Sequence, residues 1–104
     1  MKNDATRTTQ LRRYVLLDGV MPSFLRWWHE QLVPARENVG FTIEFAYALP
    51  DSNEFVWAVS VPGDQQAFDD LEAAYLTSPQ RAAAFQGIGP WTASADTSLV
   101  DVQA

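Results

Sequence analysis

"FTIEFAYALPDSNEFVWAVSV", residues 41–61, holds two runs of β-forming residues separated by PDSN at 50–53. Proline presets its own φ, and Asp, Ser and Asn bond nearby backbone, so each suits a tight turn. The stretch predicts a β-hairpin with strands at 41–49 and 54–61. Side chains alternate across a strand, so Phe41, Ile43, Phe45, Tyr47 and Leu49 are expected on one face of the first. Phe55, Trp57, Val59 and Val61 share a face of the second. Its other face, Glu54, Val56, Ala58 and Ser60, stays apolar in the middle. An antiparallel sheet wetted on one side alternates cleanly between apolar and polar. Both faces of this hairpin want cover, and the second is expected to meet another subunit.

Upstream, LRRYVLL (11–17) is rich in β-formers and ends at the turn residues Asp18 and Gly19. A helical stripe follows, with Met21, Phe24, Leu25, Trp28, Leu32, Ala35 and Val39 on one side and Trp28 at its centre. Trp27 falls on the opposite flank from His29, towards solvent or a subunit contact. Pro34 sits well inside this helix, where it removes a hydrogen bond to the Glu30 carbonyl and predicts a kink. Downstream, Asp64 caps a helix carrying Phe68, Leu71 and Tyr75. Ser78 and Pro79 open another, which Gly87 stops. IGPWTASADT reads as a loop and SLVDV (98–102) as a final short strand. The order is βαββαβ, an α+β ferredoxin-like sandwich in which two helices cover one face of a four-stranded antiparallel sheet.

The chain has 104 residues, enough for one core, with residues 1–9 expected as a flexible N-terminus and 10–104 as the domain. A net charge of −6 with no basic stripe argues against a nucleic-acid backbone as partner. The absence of cysteine excludes disulfides and thiolate zinc sites and fits a cytoplasmic protein. No apolar run is long enough to cross a bilayer, so no membrane role is expected.

LRRYVLLDG, VPARENVGF, FVWAVSV and AAYLTSPQRAA, in that order, resemble the NIPSNAP family of the dimeric α+β barrel superfamily. The likeness runs from about residue 10 to residue 86. It implies a homodimer whose sheets pack face to face, with ligands held between the helices and sheet of one subunit. LDG stands where relatives often carry Lys-Pro-Gly, and the resemblance transfers no catalytic motif.

The candidates for chemistry come from the residues themselves. His29 lies at the margin of the apolar stripe, where an imidazole could act as acid or base near neutrality, or simply be a surface histidine. Arg12 and Tyr14, two apart on a strand, share a face. They could bind a carboxylate or enolate oxygen, or else pack in the core and reach solvent. Glu44, inside an apolar hairpin, reads as a general base or as the partner of an arginine across a dimer interface. Glu72 lies near the Phe68 line, beneath the helix or on a pocket rim. Trp28 reads as core, and Phe45, Tyr47, Trp57 and Tyr75 could line an aromatic pocket. A lone histidine offers no two-histidine metal site, and no phosphate loop or nucleophile elbow is present.

The resemblance to this superfamily, more than the residues, implies a small dimeric enzyme acting on a hydrophobic or aromatic metabolite by acid–base chemistry without a bound cofactor, and His29, Tyr14 and Glu44 are the catalytic candidates. The alternative is a non-catalytic dimer that binds a metabolite or a protein.

Overall fold

The computed structural model describes residues 6–103. Four antiparallel strands, β1 (Arg7–Leu16), β2 (Thr42–Leu49), β3 (Glu54–Pro62) and β4 (Thr92–Val100), form one sheet in the order β2-β3-β1-β4. Helices α1 (Met21–Trp27), α2 (Val33–Val39), α3 (Gln65–Leu76) and α4 (Pro79–Phe85) lie on one of its faces. This is the expected ferredoxin-like α+β architecture. Of the N-terminus expected to be flexible, residues 1–5 lie outside the described residues. β1 already begins at Arg7, with Thr8 and Thr9 paired to Val61 and Ser60.

The hairpin decides which residues enter the core, and it does so with an irregularity. On β3 the alternation holds: Phe55, Trp57, Val59 and Val61 are all buried under the helices. On β2 it breaks. Ile43 pairs with Val59, but Phe45 pairs with Ala58, so Glu44 is an extra residue in the strand. Such a β-bulge flips the side-chain phase of everything beyond it. Ala46 and Ala48 therefore face the core opposite Trp57 and Phe55, while Phe45 and Tyr47 turn outward beside Ala58 and Val56. The shared face expected for Phe41, Ile43, Phe45 and Tyr47 does not exist. Phe45 is 37% and Tyr47 63% exposed, stacked on each other on the uncovered face with ring centroids 5.2 Å apart.

The first helical segment carries a matching irregularity. Trp28–Leu32 form a π turn, and Val33 donates its N–H to the Trp28 carbonyl five residues back. The break expected at Pro34 thus appears as one inserted residue just before the proline, a way of seating a residue that has no N–H to give. One extra residue turns the helix by about 100° relative to its earlier phase. The apolar stripe widens accordingly, and Trp27 and Arg36 are buried alongside Trp28 and Ala35. Trp27 is not on the solvent flank: its indole N–H donates to the Ala84 carbonyl at 2.7 Å, tying α1 to α4.

The caps fall where the sequence places them. Asp64 accepts from the Ala67 N–H at 3.0 Å and Ser78 from the Arg81 N–H at 3.1 Å. β4 is longer than expected, because WTASADT, read as loop, is mostly strand. As an edge strand paired only with β1, it needs backbone bonds and no buried side chains, so its polar composition conceals it.

Candidate functional site

Regular alternation along β1 sets Arg12 and Tyr14 on the helix-covered face. Arg12 lies between Trp57 on β3 and Thr97 on β4; Tyr14 lies between Phe55 and Ala95. The Arg12 Nε–H donates to Tyr14 Oη at 3.0 Å and its Nη1 to Gln10 Oε1 at 2.7 Å. Its guanidinium carbon is 5.4 Å from the Trp57 ring centroid, within cation–π range. The Tyr14 ring meets Phe24 and Trp57 edge-on, at 6.3 and 6.2 Å.

Above this pair a cleft of about 330 Å³ opens between the helices and the β4 edge. Its walls are aromatic. Trp27 packs against Phe85 at 5.0 Å and against Trp91 at 5.8 Å, and Phe24 closes the floor. Ile88, Gly89 and Pro90, in the segment leading to β4, complete the mouth. Among the described residues, neither a carboxylate nor an imidazole lines it. Because Arg12 donates to Tyr14 Oη, the phenolic proton is left for an acceptor oxygen in the cleft.

The structure distributes the other expected site residues elsewhere. His29 is exposed on the π turn, its ring edge-on to Trp28 at 5.0 Å, and lines neither this cleft nor the groove on the other face. Glu44, as the bulge residue, sits on the uncovered face. It accepts from Ser60 Oγ at 2.5 Å and lies 3.9 Å from Arg7 Nε of the same chain. Trp28 is core, as expected, 5.4 Å from Trp57. The aromatic pocket expected from Phe45, Tyr47, Trp57 and Tyr75 does not form. The bulge sends the first two outward, while Trp57 and Tyr75 are filled against by the core.

Glu72 turns inward, towards a residue the sequence reading missed. Arg36 is only 3% exposed, and its Nη1 donates to Glu72 Oε1 at 2.7 Å. Its guanidinium carbon lies 4.1 Å from the Tyr75 centroid, 4.7 Å from Phe41 and 5.7 Å from Trp57. Burial holds the Tyr75 hydroxyl above its ordinary pKa, with the positive charge of Arg36 opposing. One signal was available: a carboxylate near the core line of α3 needs a cation. Phe24, Trp27, Phe85 and Trp91 were missed as pocket walls because the π turn and the hidden strand β4 are what assemble them.

Among the described residues, no group of three or more His, Cys, Asp or Glu is placed to hold a metal, and no helix is long and apolar enough to cross a membrane.

The sheet order and the single helical layer define a ferredoxin-like α+β domain. Within that class, the chain has the fold of proteins of the NIPSNAP family. A NIPSNAP family protein from Agrobacterium tumefaciens matches with a TM-score of 0.84 at 8% identity, over 99% of this chain and 91% of that one. A NIPSNAP-like domain protein from Burkholderia xenovorans matches at 0.81 and 12% identity, over 97% and 89%. A Nitrosomonas europaea protein proposed to be an antibiotic biosynthesis monooxygenase matches at 0.68 and 9% identity, over 96% and 93%. No family model and no curated protein matches the chain.

Proposed function

We propose that the protein binds a hydrophobic or aromatic organic metabolite in the Arg12–Tyr14 cleft and acts on it by acid–base chemistry, as a cytoplasmic homodimer without a bound cofactor. The observation that carries this reading is the pairing of Arg12 and Tyr14 at 3.0 Å beneath an aromatic wall. Arg12 fixes the phenol, and Tyr14 then offers one proton to a ligand oxygen. The proton leaving the neighbouring carbon passes to solvent water in the open cleft. The negative charge that develops on the oxygen is stabilised by the Tyr14 O–H and the adjacent guanidinium, which is how a fixed donor pair favours an enolate-like state. The likeness to a protein proposed as a monooxygenase supports action on an organic molecule by analogy of fold. The dimer is supported by the uncovered sheet face, where Phe45 and Val100 line a groove of about 640 Å³ and the exposed Tyr47 stacks on Phe45.

A second reading, a non-catalytic binding protein, is favoured by the lack of any carboxylate or imidazole lining the cleft among the described residues. Deuterium incorporation separates the two. Carbonyl-bearing aromatic compounds that quench the cleft tryptophans are incubated with the protein in D2O and analysed by mass spectrometry. Exchange at the carbon next to the carbonyl, lost in Tyr14→Phe, supports the enzyme. Binding without exchange would leave the cleft as a binding site only.

A further inference from the structure

The charge around Arg12 is unbalanced, and the imbalance identifies the class of ligand; the inference rests on the cleft being the ligand site. The ion pairs among the described residues join Arg7 to Glu44, Arg13 to Glu54 and Arg36 to Glu72. Arg12 takes part in none. It is half-buried, and its two side-chain hydrogen bonds, to Tyr14 Oη and Gln10 Oε1, go to neutral groups. Its Nη2 makes no hydrogen bond among the described residues. Rings supply cation–π contact at 5.4 and 5.8 Å but no negative charge.

A half-buried guanidinium gives up part of its hydration, and here no negative group among the described residues replaces it. Here that arrangement persists in a chain of net charge −6, which has carboxylates to spare. The groove on the opposite face differs, since its Arg7 already faces Glu44. A guanidinium with an uncommitted donor edge, beside a phenolic O–H whose own acceptor site is filled, matches a carboxylate: two oxygens for two donors. The volume of about 330 Å³ lies at the low end for ligand pockets, which suits one or two rings.

We propose that the ligand of this cleft is a small aromatic carboxylate, its ring against Trp27, Phe85 and Trp91 and its carboxylate on Arg12 and Tyr14.

Phenylacetate and its neutral counterpart phenylacetamide test this, titrated against the protein by tryptophan fluorescence. Phenylacetate should bind about tenfold more tightly or better, the gain expected from a charged over a neutral hydrogen-bond pair. In Arg12→Gln, checked for fold by circular dichroism, the preference should vanish. The wild-type comparison stands by itself should that variant misfold. Equal or tighter binding of the amide would overturn the carboxylate assignment and leave the cleft reading intact. A preference that survives Arg12→Gln would place the anion elsewhere and also overturn it. Failure of both probes to perturb the cleft tryptophans would overturn the cleft reading, and this inference with it.

Discussion

Arg36 lies with its guanidinium carbon 4.1 Å from the centre of the Tyr75 ring, both residues buried between α2, α3 and the sheet. The phenol hydroxyl has no hydrogen-bond partner among the described residues, nor does Arg36 Nε. The contact is therefore made through the ring face, and the hydroxyl adds only a desolvation cost.

Tyr75→Phe tests that statement through pH. Burial raises the phenol pKa in the folded chain, so below the unfolded value of about 10 both states hold the proton and nothing is lost. As pH rises past that value, the unfolded chain releases its proton first and folding stability falls. Tyr75→Phe should match or exceed the wild type in folding stability at pH 7, by up to about 1–3 kcal/mol. It should also lose less stability than wild type between about pH 9 and 11. Thermal melts across that range check both, and a large loss at pH 7 would mean the hydroxyl has a partner.

Removing the counter-ion is the harsher change. Glu72→Ala leaves the Arg36 guanidinium in an aromatic core and should cost about 3 kcal/mol, the low end for a broken buried pair because Glu72 keeps some solvent contact. The double variant Arg36→Met, Glu72→Leu should recover most of the loss. Urea melts of the three proteins measure it.

His29 and Trp28 are neighbours in sequence with opposite fates. His29→Ala changes an exposed residue and should alter stability by less than about 0.5 kcal/mol, with no effect on binding in the cleft. Trp28→Ala empties a 3%-exposed core position and should cost about 3–5 kcal/mol. Chemical denaturation of both, with ligand titration of the histidine variant, is the check. Loss of binding in His29→Ala would return the histidine to the site.

The uncovered face makes its own prediction. Phe45 points outward past the Glu44 bulge, so Phe45→Asp should leave the circular dichroism spectrum and cooperative unfolding intact while converting dimer to monomer. Sedimentation velocity at micromolar concentration reads the oligomer. A wild-type monomer would dispose of the dimer, and an unfolded variant would mean that Phe45 is core after all.

The order of elements, their caps and the core face of β3 were legible because each rests on a local, repeated signal: alternation, helical periodicity, or a capping side chain. What escaped is what a single residue does to such a repeat. Glu44 stood out as a carboxylate in an apolar strand, yet nothing in FTIEFAYAL distinguishes a bulge from a buried charge, and the bulge reverses Phe45 and Tyr47. Pro34 announced a disturbed helix, but not that the disturbance takes the form of a π turn, which buries Trp27 and Arg36 together. Edge strand β4 gave no hydrophobic pattern, so Trp91, whose position depends on it, could not be assigned to a wall. Arg12 and Tyr14 were legible because β1 is regular where they sit; the rings around them were not.

The most direct test of the Arg12–Tyr14 cleft as ligand site is a nitrogen–proton NMR correlation spectrum of the 15N-labelled protein, recorded with increasing phenylacetate. The indole resonances of Trp27 and Trp91, on the cleft wall, should shift and saturate together with the backbone amide of Tyr14. The amides of Phe45 and Ala58, on the groove across the sheet, should stay in place. Shifts confined to Phe45 and Ala58, or a spectrum unchanged throughout the titration, would contradict the assignment of the site.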